Sequence, residues 1–173
     1  MVLVMATATT RMRGAIKKLT VTGSYFHQAK VGRLLKSRAA ENHIIYNRFT
    51  DEVGGRASNE LEFPNGGPAY VVGNTIADDR PKGGKLLVGK PGDWLVRAVN
   101  NLIAGSGSLN VGEVELSNNI QVDWDVFVQA SRQDFRLLNP LKPIGKPVEP
   151  GTAGGVDLRP RREYLRPRQT RAL

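Results

Sequence analysis

The sequence predicts an all-β fold, a right-handed parallel β-helix of about four to five coils, on three observations. Long amphipathic helical patterns are missing, and short apolar, β-branched runs bounded by Gly, Asn and Pro recur in their place. Three runs, Ile45-Tyr46-Asn47-Arg48-Phe49, Val72-Gly73-Asn74-Thr75-Ile76 and Val99-Asn100-Asn101-Leu102-Ile103, share an apolar, any, Asn, any, apolar pattern with asparagines 27 residues apart. Weaker copies at Thr22-Gly23-Ser24-Tyr25-Phe26 and Ser117-Asn118-Asn119-Ile120 bring the total to about five. A period in the twenties is that of a solenoid, because one coil cannot bury its own inward face and must stack on its neighbours. Leucine-rich repeats share the period but need a Leu framework that these asparagines lack. A β-sandwich needs hairpin turns of the Asn-Gly type, and Asn65-Gly66-Gly67 is the one such signal.

Taken in order, residues 1–18 form an N-terminal segment expected to be disordered, and residues 19–139 form the repeat body. Strands are expected at Leu19–Phe26, Gly32–Lys36, His43–Phe49, Glu60–Phe63, Ala69–Ile76, Lys85–Val88, Leu95–Ile103 and Val111–Asn119, each an apolar or β-branched run ended by turn residues. Asn47, Asn74 and Asn101, falling at one place in successive coils, are expected to stack as a side-chain ladder at a turn. Residues 140–173 hold six of the ten prolines, whose fixed φ and missing N–H oppose helix and central strand, so an extended Pro/Arg-rich strap is expected.

Composition narrows the function classes. The chain has 173 residues, 40% of them hydrophobic, enough for one core. With no cysteine, disulfides and thiolate metal sites are excluded. No apolar run approaches a membrane span, and Met1–Ala6 is too short for the apolar stretch of a secretion signal. As written, the chain reads as cytoplasmic or incomplete. The net charge of +9 sits at the two ends: residues 1–40 hold eight Lys or Arg and no acid, 41–139 are net −4, and 140–173 net +5. This charge is the feature that favours a nucleic-acid partner, but no recognition motif or aromatic platform accompanies it.

The order of Lys36-Ser37-Arg38-Ala39, Ile44-Ile45-Tyr46-Asn47-Arg48-Phe49, Phe63-Pro64-Asn65-Gly66-Gly67, Val72-Gly73-Asn74-Thr75-Ile76 and Val99-Asn100-Asn101-Leu102-Ile103 resembles the C-terminal half of bacterial right-handed parallel β-helix repeat proteins of the pectate lyase-like kind. Asp134-Phe135-Arg136-Leu137, leading into Pro143–Pro150, is similar to how many of them end. The resemblance covers most of residues 19–165 and implies a shortened or C-terminal version. It further implies an extracellular or periplasmic location and an acidic polysaccharide as partner.

It also implies candidate chemistry. Lyases of this kind neutralise a uronate carboxylate with a cation and remove the α proton with a basic side chain. Lys36, eleven residues before Asn47, resembles the lysine coil of the chondroitinase B and alginate lyase group and is the candidate base. The arginine expected on the next coil is absent from Leu61-Glu62-Phe63-Pro64, and Arg56 lies in the preceding turn. Arg38, Arg56 and Trp94 are the candidate substrate contacts. Ca²⁺ would need converging oxygens, for which Glu60 and Glu62 are the candidates, against their reading as a solvated face. His27 and His43 are too few for a histidine metal site. Trp124 reads either as a sugar platform or as packing under the strap. The expected function is a glycan-binding module or a vestigial lyase; the alternative is a basic nucleic-acid-binding protein.

Overall fold

A computed structural model of the chain describes residues 16–52, 54–64, 67–79, 83–89, 95–109, 111–112, 114–141, 152–153 and 156–157. Trp94, most of the expected strap and most of the N-terminal segment lie outside these residues. The described residues are all-β, without an α-helix, and the chain visits three parallel sheets in turn. Row one holds β1 (Leu19–Thr22), β2 (Tyr25–His27) and β3 (Gly32–Lys36); row two holds β4 (Asn42–Ile45), β5 (Arg48–Asp51) and β6 (Ala57–Phe63). Row three holds β7 (Ala69–Val72), β8 (Thr75–Asp78) and β9 (Lys85–Gly89); row four holds β10 (Val96–Val99), β11 (Leu102–Gly105) and β12 (Val111–Gly112). Row five holds β13 (Val114–Ser117) and β14 (Ile120–Val122). The first sheet runs β1-β4-β7-β10-β13, the second β2-β5-β8-β11-β14 and the third β3-β6-β9-β12. These stacked parallel sheets are compatible with a parallel β-helix.

The runs expected as single strands at Leu19–Phe26, His43–Phe49, Ala69–Ile76 and Leu95–Ile103 are each two strands joined by a two-residue turn. The physical reason is a left-handed residue ahead of each ladder position: Gly23 (φ 59°), Tyr46 (55°), Gly73 (64°), Asn100 (55°) and Asn118 (51°). Gly and Asn enter that region at little cost, whereas a residue such as Tyr46 pays about 1–2 kcal/mol for it. Tyr46 is repaid by packing: its ring lies over Gly73, where a Cβ would collide with it.

Once the turn has reset the alternation, inward side chains stack in register. Ile44, Val71 and Ala98 line up on the first sheet, Phe26, Phe49, Ile76 and Ile103 on the second, and Leu35, Leu61 and Leu87 on the third. All ten are buried in one core cluster, with the Phe26 and Phe49 rings stacked at 4.8 Å. At about 1.5–3 kcal/mol per large side chain, these columns supply the main stabilisation of the stack.

The asparagines close the corner between the first and second sheets. Asn47 Nδ2 donates to Asn74 Oδ1 (3.1 Å), Asn74 Nδ2 to Asn101 Oδ1 (3.0 Å) and Asn101 Nδ2 to Asn119 Oδ1 (2.8 Å). The same oxygens accept the backbone N–H of Asn47, Asn74 and Asn101 at 2.8, 2.9 and 3.0 Å. Each amide also donates to a carbonyl of the preceding row, as Asn74 does to Ile44 (2.9 Å). In rows two to four the ladder asparagines thus carry their side-chain amides into the interior paired on both sides.

Beyond row five the chain folds back. Two 3-10 turns, Trp124–Val126 and Ala130–Arg132, flank β15 (Phe127–Gln129), which pairs antiparallel with β16 (Asp134–Leu137). Trp124, Phe127 and Phe135 form an aromatic cluster on Ala77 and Ala104 of the second sheet's outer face. Trp124 is packing here. Arg48 pins the hairpin: Nη1 donates to the Gln133 carbonyl (2.7 Å), and the guanidinium lies 3.5 Å from the Tyr25 ring centre and 4.8 Å from that of Phe135. A further short pair, β17 (Thr152–Ala153) with β18 (Val156–Asp157), is antiparallel.

Candidate functional site

The third sheet carries three of the residues singled out from sequence, Lys36, Glu60 and Glu62. Lys36 ends β3 and stands in register with Glu62 of β6. Glu62 is 1% exposed and is held by Arg33 Nε and by Asn59 Nδ2 (3.1 Å). Burial pushes the Glu62 carboxyl up, but the hydrogen bond and charge of Arg33 and the charge of Lys36 carry it below its ordinary value. Glu60 is fully buried. The solvated-face reading of Glu60 and Glu62 is therefore wrong, because strand pairing on both sides of β6 and the side chains around it exclude water. Among the described residues no three His, Asp or Glu converge as ligands for a metal such as Ca²⁺.

Arg38 lies two residues beyond Lys36, in the turn leading to the first sheet, and Arg56 lies one residue before β6. In register these are opposite ends of the third sheet, since Ala57 pairs with Gly32 and Glu62 with Lys36. The strand between spans about 15 Å at ~3.3 Å per residue, so one small group does not bridge both arginines. Lys36 and Arg38 instead share a corner with the outer face of the first sheet.

That face carries a column the sequence reading passed over. Thr20, His43, Tyr70, Arg97 and Glu115 are register partners across five strands, each four residues before its row's ladder position. The 27-residue offset that relates the asparagines also relates His43, Tyr70 and Arg97, and was the available signal. His43 is fully buried, with its ring 5.1 Å from that of Tyr70 and its Nε2 on the Glu41 carboxylate. The hydrogen bond from His43, and then the charge of Lys18, hold the Glu41 carboxyl below its usual range despite partial desolvation. Arg97 is 54% exposed, and its Nε donates to Glu115 (3.0 Å). Beside this column Ile45 and Val72 pack with Tyr46, Tyr70 and Val99 in a small apolar cluster. Rows stand about 4.8 Å apart, so His43, Tyr70 and Arg97 set two flat rings and a guanidinium side by side along the stack. With His43 buried, it is the Tyr70 ring that can stack on a sugar and the Arg97 guanidinium that can pair with a carboxylate.

Comparison with known proteins adds no assignment: no family model, no curated protein and no solved structure matches the chain.

Proposed function

We propose that the chain is a module of a right-handed parallel β-helix, of the pectate lyase-like kind, that binds an acidic glycan along the outer face of its first sheet. The observation that carries this reading is the register pair Tyr70 and Arg97, with the buried His43 behind them in the column and Lys36 and Arg38 at the adjoining corner. A polysaccharide is a linear repeat, and a stack of rows offers a linear repeat of contacts in return. Tyr70 supplies an apolar ring face, Arg97 a planar donor fork for a uronate carboxylate, and Lys36 and Arg38 the positive field that favours an acidic chain over a neutral one.

The test is calorimetric titration with oligomers of alginate, polygalacturonate and chondroitin sulfate, with neutral glucan as the control. The acidic oligomers bind, and Tyr70→Ala and Arg97→Ala each weaken them about fivefold, the equivalent of about 1 kcal/mol per lost contact. Equal affinity for the neutral glucan, or unchanged affinity in both variants, sinks the proposal. Following the near-ultraviolet absorbance of unsaturated uronates during the titration tests catalysis separately: products that vanish in Lys36→Ala would make Lys36 the base of a lyase.

A further inference from the structure

Row five is the last described row of the stack. β13 and β14 each have a neighbour on one side only, so the outer backbone edge of row five is unpaired with any described strand. Leu116 stands in register with Ala98, which is fully buried, yet is itself 42% exposed. With Ile103, Leu109, Ser117, Asn118, Asn119 and Gln121 it lines an open hollow of about 220 Å³. The amide system stops there as well. Asn118 Nδ2 donates to Asn100 Oδ1 (2.7 Å) in the row below, whereas Asn118 Oδ1 is buried with no hydrogen-bond partner. Asn101 gives its backbone N–H to the asparagine of the next row, and for Asn119 there is no described next row. Strand edge, inward leucine and amide acceptor all match a sixth row.

Charge selects what supplies it. Residues 98–131 contain Glu113, Glu115, Asp123 and Asp125 and no Lys or Arg, with Glu115 paired to Arg97 of the row below, whereas residues 1–40 contain eight Lys or Arg and no acid, of which Lys18 and Arg33 are paired with Glu41 and Glu62 of row two. Asp123, directly after β14, and Asp125, in the turn that follows, are exposed, as are Lys17 and Lys30 of row one. β1 and β2 are also edge strands, in the same parallel sense, and their row carries the hydroxyls of Thr22 and Ser24 at the corner where the amide system continues. Two acidic ends repel one another; an acidic end and a basic end attract.

We propose that the chain self-associates head to tail, the acidic row five of one copy stacking on the basic row one of another. Because the two surfaces differ, the contact is heterologous and does not close on itself, so the product is an open filament and not a fixed dimer. Sedimentation velocity of the full chain tests this. At low salt the average mass rises with concentration without a plateau at two, and at high salt it returns towards the monomer. Blocking the acidic end with Asp123→Lys and Asp125→Lys, both exposed and outside the core, stops growth. Blocking the basic end with Lys17→Glu and Lys30→Glu does the same. Mixed together, the two blocked proteins associate again although neither does so alone, because the intact ends pair as before and the two reversed ends carry charges opposite to one another. A monomer at every concentration in low salt, a closed dimer that neither pair of substitutions disturbs, or a blocked protein that still pairs with itself would overturn the proposal.

Discussion

Asn74 shows how much one side chain does at the ladder corner. Its Oδ1 accepts from the backbone N–H and the side-chain amide of Asn47, and its Nδ2 donates to the Ile44 carbonyl and to Asn101 Oδ1. Replacing it with Ala strands a buried N–H and a buried carbonyl at about 1–3 kcal/mol each, so Asn74→Ala should cost about 3 kcal/mol. Asn119 has a neighbour on one side and is only partly buried, and Asn119→Ala should cost about 1 kcal/mol as water replaces the lost partners. Urea unfolding midpoints compare the two; equal losses would mean that the ladder does not contribute as a stack. The ladder residues were legible because they recur at a fixed spacing. Arg33 and Glu62 were not: they lie 29 residues apart across a register shift between β3 and β6, and Glu62 is buried by neighbours that no local pattern reveals.

Among the elements, the fold-back formed by β15 and β16 rests on few fastenings. It covers the second sheet because Ala77 and Ala104 are small enough to let Phe127 approach, and because a Cβ at Gly105 would collide with the Asp78 carbonyl and crowd Trp124. Arg48 ties it down through the Gln133 carbonyl and two ring faces, and burial shifts the guanidinium down from its ordinary value, partly offset by Asp134. Arg48→Ala should free the segment 124–137 while leaving the rows intact, raising its rate of proteolytic cleavage at least tenfold for a loss of about 1.4 kcal/mol or more. Cleavage no faster than in the parent would show that the aromatic cluster alone holds the segment. Asp134–Leu137 was singled out only by the resemblance, and its antiparallel partner and its seat were not legible, since both depend on which outward positions of distant rows are alanine.

For the molecule as a whole, every pairing in the three sheets joins adjacent rows, so stability should be graded along the stack. Amides of β4, β5, β7 and β8, paired on both sides, should be the most protected from hydrogen exchange, and those of β13 and β14 among the least. Correspondingly, Phe49→Ala should cost about 3–5 kcal/mol and Leu116→Ala under about 1 kcal/mol. Uniform protection from row one to row five would show a single cooperative unit. The row order was readable from the 27-residue recurrence, which also relates His43, Tyr70 and Arg97, whereas the unpaired edge of the fifth row and the turn inside four of the expected strands came only from the backbone and its register.

The three corners of each row do not share the same freedom. Between the first and second sheets the connection is two residues in all five rows, whereas between the second and third it is four, five, six and five residues in rows one to four. Any insertion at the ladder corner would push a left-handed backbone position and a buried amide out of line with both neighbours at once. Length change is therefore taken up at the other two corners: the connection from the third sheet to the first is five, five, six and one residue in rows one to four, and that from the second to the third lies on a separate flank. A foreign peptide grafted into the connection after β8 would be displayed from that flank with the core rows undisturbed.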